Sequence, residues 1–202
     1  MAKKFKKVEK DYILTELIER GADLFRRYGF KKTTITDITK EVGIAQGTFY
    51  HFFKSKELLY FTILEKEEEI LKEKFFTVPY LLEECPKRWL KKTFKELLKE
   101  VENNPLIKEL FSGETMKVLL RKISADELEE HFLKDTSTLE NWVESLHEIG
   151  LKLTVRPEVM GGLLRALFIM SLHQEEIGKD VYDETINLQI ELLVEKLFVE
   201  EV

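Results

Sequence analysis

Cysteine is almost absent. Cys85 is the single one in 202 residues, so no internal disulfide can form and a reducing, cytoplasmic setting is expected. Long apolar runs are absent as well. The longest, Leu163 to Leu172, is interrupted by Arg165 and Ser171 and is too short to span a bilayer. The opening MAKKFKKVEK is basic, but no apolar segment follows it, so it does not read as a signal peptide. No membrane partner is expected. Glycine-rich phosphate loops are missing, and so are apolar–polar alternations flanked by hairpin signals. A metal-ligand set is missing too. Glu144 and His147 have the Glu-x-x-His spacing, but di-iron carboxylate bundles need that motif twice, with two more inward glutamates. His173 with Glu176 has the reverse order, and His131 follows two glutamates; neither has metal-site spacing. Cys85 has no evident histidine partner. No cofactor or metal is expected, and a metal-dependent helical enzyme stays only as a remote alternative.

What is present is ample for a packed core: 44% of residues are hydrophobic and 35% are charged. The net charge of −6 is uneven. Residues 1–60 carry 13 Lys/Arg against 8 Asp/Glu, a balance of +5, while the remaining 142 carry 19 against 30, a balance of −11. A basic head on an acidic body suits a protein that sets only its head against a polyanion.

The periodicity predicts an all-α chain of about nine or ten helices, with no repeats and no low-complexity linkers. Lys3 to Lys10 reads as a flexible arm. In the first helix, Asp11 to Tyr28, one stripe holds Ile13, Leu14, Leu17, Ile18, Ala22 and Phe25. A long helix from Ser55 to about Phe75 is apolar first and charged later. Pro86 opens a helix to about Val101. Short pieces follow over Leu106 to Phe111 and Thr115 to Ile123, with a break at Gly113. Ser124, with Glu127 as its capping-box partner, opens a helix through Ile149. Pro157 opens one to Ile177, and Asp180 the last, to about Val199.

The stretch around which these are arranged is Thr33 to Leu59, TTITDITKEVGIAQGTFYHFFKSKELL. Thr34 and Asp37 make a near capping box. Ile35, Ile38 and Val42 recur at helical spacing, and Gly43 ends the helix where positive φ is wanted. Gln46 to Phe53 makes a second short helix with Phe49, Phe52 and Phe53 inward. Ser55 caps the next helix. Two short helices joined by a tight turn with glycine form a helix-turn-helix. Gln46, Thr48, Tyr50 and His51 are left over as types that reach base edges or phosphates.

The run from Gly21 to Leu59 resembles the amino-terminal domain of the TetR family of bacterial transcriptional regulators. The matching residues are Ala22, Leu24-Phe25, Tyr28-Gly29-Phe30, Thr33-Thr34, Ile38, Gly43-Ile44, Gly47-Thr48-Phe49-Tyr50, Phe52, Ser55-Lys56 and Leu58. Two positions depart: Thr39 where a small Ala is usual, and Ala45 where a capping residue is frequent. Each departure costs about 1 kcal/mol. The resemblance implies a DNA-binding domain over residues 1–56 and a helical regulatory and dimerisation domain over 57–202. It implies phosphate contacts from Thr33, Thr34, Tyr50, Lys54 and Lys56. Gln46 can pair with adenine, Thr48 can meet a thymine methyl, Gly47 allows close approach, and His51 is open to a phosphate or to solvent.

The expected partners are a palindromic operator in double-stranded DNA, a second copy of the chain, and a small hydrophobic or amphipathic effector. Leu163, Leu167 and Met170, with Ile186, Ile190, Leu193 and Leu197, are the expected dimer contacts. Gly161, Gly162 and Ala166 would allow close approach there. The effector is expected among Trp89, Phe94, Phe111, Met116, Trp142 and Phe168, oriented by Thr93, Asn141, His147 or His173. The acidic body favours a cationic lipophile over a fatty acid. The competing reading is a helical bundle that uses its helix-turn-helix for protein contacts.

Overall fold

The computed structural model describes residues 6–79, 82, 84–111 and 114–200. The first lysines of the basic arm and Gly113 lie outside them. The described helices are α1 (Lys7–Tyr28), α2 (Ile35–Val42), α3 (Gln46–Phe49), α4 (Lys56–Phe75), α5 (Pro86–Asn103), α6 (Pro105–Phe111), α7 (Glu114–Leu120), α8 (Ala125–Glu148), α9 (Pro157–Ser171), α10 (Gln174–Ile177) and α11 (Lys179–Leu197). A small antiparallel ribbon joins β1 (Leu151–Leu153) to β2 (Phe198–Glu200), with Lys152 opposite Val199. The fold is all-α, as the periodicity predicts. Among the described residues no helix is long and apolar enough to cross a membrane.

The chain forms two compact units. The first holds Met1–Glu68 and Pro105–Ser124, so α6 and α7 pack with the helix-turn-helix segment. Its core centres on Leu17, Ile38, Phe49, Leu59, Tyr60 and Ile63, each at most 1% exposed. Gly21 lets α1 lie close on α4: a Cβ there would sit 3.1 Å from Leu59 Cδ2. The Tyr60 hydroxyl donates to the Leu106 carbonyl at 2.8 Å, tying α4 to α6. The second unit holds Glu69–Asn104 and Ala125–Val202. Leu90 and Phe94 of α5, Trp142 and Leu146 of α8, Met160 and Leu164 of α9, and Ile190 and Val194 of α11 share its core.

Four expectations need correcting. Helix α1 starts at Lys7 rather than Asp11, because KVEK is a good helix former and the Lys10 N–H donates to the Lys6 carbonyl at 3.0 Å. The helix from Pro157 stops at Ser171, where the Leu172 and His173 N–H groups take i−3 bonds that tighten the last turn; the four residues of α10 follow separately. The last helix ends at Leu197 because Phe198 turns extended and enters the ribbon. The ribbon itself was hidden: three residues per strand are too few to display an alternation.

Candidate nucleic-acid interface

The turn between α2 and α3 is built from local chemistry. The Asp37 N–H donates to Thr34 Oγ1 at 3.2 Å, and the Thr34 N–H donates to Asp37 Oδ2 at 2.9 Å, a complete capping box. These bonds favour the charged Asp37 carboxylate: the Thr34 hydroxyl first and its backbone N–H second hold it below its ordinary pKa. At the other end Gly43 is left-handed, φ 77° and ψ 30°. The Ile44 N–H reaches the Thr39 carbonyl at 3.0 Å and the Gly43 N–H the Lys40 carbonyl at 3.3 Å, the two bonds of a Schellman motif. Buried Thr39 satisfies its hydroxyl on the Thr36 carbonyl at 3.2 Å, which is how the larger side chain is accommodated.

Regular α-helix in α3 covers only Gln46–Phe49, with no side-chain cap from Ala45. The coil continues as tight turns: the His51 and Phe52 N–H groups bond the Thr48 and Phe49 carbonyls at 3.1 and 2.9 Å. Burial of Phe49 and Phe53, with Phe52 packed on the same core, draws that turn inward. Gln46, Gly47, Tyr50 and His51 are exposed and Thr48 is half-buried. A Cβ on Gly47 would meet nothing within 4 Å, so no packing inside the chain requires glycine there.

Beside this face lies a depression of about 330 Å³ lined by Lys31, Thr33, Thr34, Ile35, Tyr50, Lys54, Ser55, Lys56 and Glu57. It gathers all five residues expected at phosphates. Two of them are engaged inside the protein, however. Thr33 is 2% exposed, and its hydroxyl lies 2.8 Å from the Gly29 carbonyl and 3.3 Å from that of Leu24. Half-buried Lys56 donates to the Phe30 and Thr33 carbonyls at 2.7 and 2.8 Å and sits 4.2 Å above the Phe30 ring. Desolvation lowers its pKa. Thr33 and Lys56 thus hold the loop that leads into α2. Lys31 was missed as a lining residue, although its place two residues before Thr33 was a visible signal.

The residues expected around an effector are divided between the two units. Phe111 and Met116 belong to the first unit and the others to the second. Asn141 and His147 are exposed on α8, because their helical positions face away from buried Trp142 and Leu146. Thr93, Phe94 and Trp142 are buried, and half-buried Trp89 and Phe168 pack on that cluster. His173 pairs at the surface with Glu176 at 3.2 Å. The Trp142 ring lies 5.0 Å from that of Phe76 and 6.1 Å from that of Phe94. Its buried Nε1–H has no partner among the described residues.

Of the expected dimer contacts, Leu167, Ile186 and Ile190 are buried in the chain's own core, since they lie on the inner faces of α9 and α11. Leu163, Met170, Leu193 and Leu197 are half-buried. The outer faces carry Val159, Ile169, Val181, Leu188 and Leu192, each at least 40% exposed.

Residues 17–63 match the family model for bacterial regulatory proteins of the tetR family. An uncharacterised HTH-type transcriptional regulator of Bacillus subtilis, YfiR, is 35% identical over 65 residues, 32% of each chain. The HTH-type transcriptional repressor KstR2 of Mycolicibacterium smegmatis is 43% identical over 58 residues, 29% of this chain and 25% of that one. The chain thus spans about a third or less of the length of these curated relatives. Solved structures match the whole fold. A TetR-family transcriptional regulator from Pectobacterium atrosepticum superposes with a TM-score of 0.69 at 17% identity, over 98% of this chain and 100% of that one. The Thermus thermophilus repressor FadR, in complex with lauroyl-CoA, does so at 0.60 and 20%, over 94% and 97%.

Proposed function

We propose, for a chain whose amino-terminal domain belongs to the TetR family, that it is a cytoplasmic, ligand-responsive transcriptional repressor that binds a palindromic operator as a homodimer. The observation that carries this reading is the outward face of α3 and of Tyr50, its C-cap. Gln46, Gly47 and Tyr50 project to solvent beside a depression lined by Thr34, Tyr50 and Lys54. A four-residue helix reads few base pairs, so a useful operator needs two copies with half-sites about a helical turn apart, or a multiple of it. The exposed apolar residues on α9 and α11 support the homodimer: Val159 and Ile169 on α9 and Val181, Leu188 and Leu192 on α11 are exposed apolar side chains of the kind a second copy covers. A Cβ on Gly162 would also meet open space, leaving room for a close approach.

For the effector, the orphaned Trp142 N–H supports a small apolar or amphipathic molecule with an oxygen acceptor, because buried donors in native proteins are seldom left unpaired. FadR, whose structure holds lauroyl-CoA, is matched in fold alone. An effector that favours a conformation with mismatched α3 spacing releases DNA only through its differential affinity for the two states.

The test is selection from random duplexes followed by fluorescence anisotropy. A palindromic site bound far more tightly than random DNA, with affinity falling steeply with salt, is the expected result. Gln46→Ala should relax preference at one position by about 1–3 kcal/mol. Equal affinity for selected and random duplexes would sink the reading.

A further inference from the structure

The wall of the DNA-facing depression carries a cation that is already taken. Lys31 lines it, and its ammonium is hydrogen-bonded to the Glu114 carboxylate of α7. From this placement we infer that Lys31 is a phosphate-binding residue of the DNA face held in reserve by Glu114, so that carboxylate and DNA phosphate compete for one ammonium. The inference rests on the DNA-binding reading above.

The neighbouring groups show why Lys31 matters. The Lys56 ammonium is committed to two carbonyls and a ring, and the Thr33 hydroxyl is turned onto carbonyls within the unit. Among the lysines lining the depression, that leaves Lys54 and Lys31 to face a phosphate. The side chains of Lys31 and Glu114 are 65% and 71% exposed. A pair so open to water adds little to stability, so packing alone does not explain it. It is equally open to exchange: Glu114 can be displaced without unfolding anything. The pairing raises the pKa of Lys31 and lowers that of Glu114, mainly through their shared hydrogen bond, so the ammonium stays charged for either partner.

The helix that carries the competing carboxylate is anchored in the core. Helix α7 is fixed by Leu119, 1% exposed, and by Thr115, whose hydroxyl lies 3.4 Å from Glu109 Oε1. Glu109 itself stands against the same loop: a Cβ on Gly29 would lie 3.3 Å from its Oε2. Two carboxylates of α6 and α7 thus flank the Gly29–Thr34 loop, and the position of α7 sets how readily Lys31 can turn to DNA.

The test measures the salt dependence of binding to the selected operator for the full chain, Lys31→Ala, Glu114→Gln and the double variant. Wild type must first bind duplex DNA with a salt-dependent affinity; if it does not, the DNA-binding reading fails and this inference falls with it. Given that binding, Lys31→Ala should flatten the slope of log affinity against log salt by about 0.9 per protomer. Glu114→Gln should tighten binding about three- to tenfold at low salt, and that gain should vanish when Lys31 is alanine. A Lys31→Ala slope equal to wild type overturns the inference while leaving DNA binding intact. A Glu114→Gln gain that persists without Lys31 overturns it too, by reducing Glu114 to a contributor to the general field. Circular dichroism melts of all four proteins establish that each is folded.

Discussion

The two compact units differ in how they treat buried polar groups. In the first, Thr33 and Thr39 turn their hydroxyls onto backbone carbonyls, Tyr60 reaches the Leu106 carbonyl, and Lys56 holds two carbonyls of the loop before α2. In the second, Tyr182 lies against the Ser171 carbonyl at 2.7 Å and Ser171 bonds the Phe168 carbonyl, but the Trp142 N–H, beside Phe76 and Phe94, has no partner among the described residues. Closed networks fix one geometry, and an unpaired buried donor is an invitation to a ligand or a water. A surface that reads a rigid duplex gains from the first arrangement. The proposed response to a small molecule would gain from the second.

The harshest disruption of the first unit is to empty the support of the proposed DNA-reading face. Phe49 is fully buried at the end of α3, so Phe49→Ala should cost about 3–5 kcal/mol in urea denaturation and abolish operator binding. In the second unit, the effect should depend on which side of α11 is touched. Ile190→Ala, at 1% exposure, should cost about 2–5 kcal/mol. Leu192→Ala, at 51%, should cost about 0.5 kcal/mol or less within one chain. Sedimentation should nevertheless show Leu192→Glu as monomeric. A dimer that survives Leu192→Glu would remove the outer face of α11 from the proposed interface.

That inner–outer distinction marks how far the sequence could be read. The capped ends of α2 were legible, because capping boxes and left-handed glycines are local: Thr34, Asp37 and Gly43 act within a few positions of one another, whereas the early end of α3 at Phe49 rather than Phe53 was not. The helical layout was legible because 3.6-residue periodicity survives without tertiary context. Which face of α9 and α11 meets its own chain was not. Both faces of α11 are apolar, Ile186 and Ile190 on one and Leu188 and Leu192 on the other, and only packing decides between them. The role of Lys56 was hidden for a similar reason. A lysine near a helix start suits a phosphate and a carbonyl pair equally well, and the carbonyls lie 26 and 23 residues away.

Two matched deletions of a buried donor sharpen the contrast between the units. Tyr60→Phe removes a satisfied hydroxyl and should destabilise the protein by about 1 kcal/mol. Trp142→Phe removes an N–H with no partner among the described residues, so the relief of that donor offsets the volume lost, and the variant should lose clearly less stability than Tyr60→Phe. Effector response should fall in the second variant and persist in the first. Equal destabilisation by both would mean that the Trp142 N–H is satisfied in solution, and the contrast between the units would lose its basis.

The smallest effects lie at the ends of α2 and α3, where the first unit is itself uneven: one helix has a full capping box and the other has none. Ala45 has the extended backbone of an N-cap, φ −69° and ψ 146°, so Ala45→Ser should stabilise by about 0.5–1 kcal/mol at any pH where the fold persists. The cap on α2 should behave differently in acid. The folded-state pKa of Asp37 is lowered by the Thr34 hydroxyl and backbone N–H. Its contribution is therefore full above the ordinary carboxylate value of about 3.9 and is lost as pH falls through the lower folded-state value. The stability gap between wild type and Asp37→Ala, measured by urea denaturation, should be constant near neutrality and close in acid, while the gain from Ala45→Ser should not titrate. A gap that stayed open well below the carboxylate range would assign the cap to the neutral Asp37 side chain, and the charge on its carboxylate would have no part in starting α2.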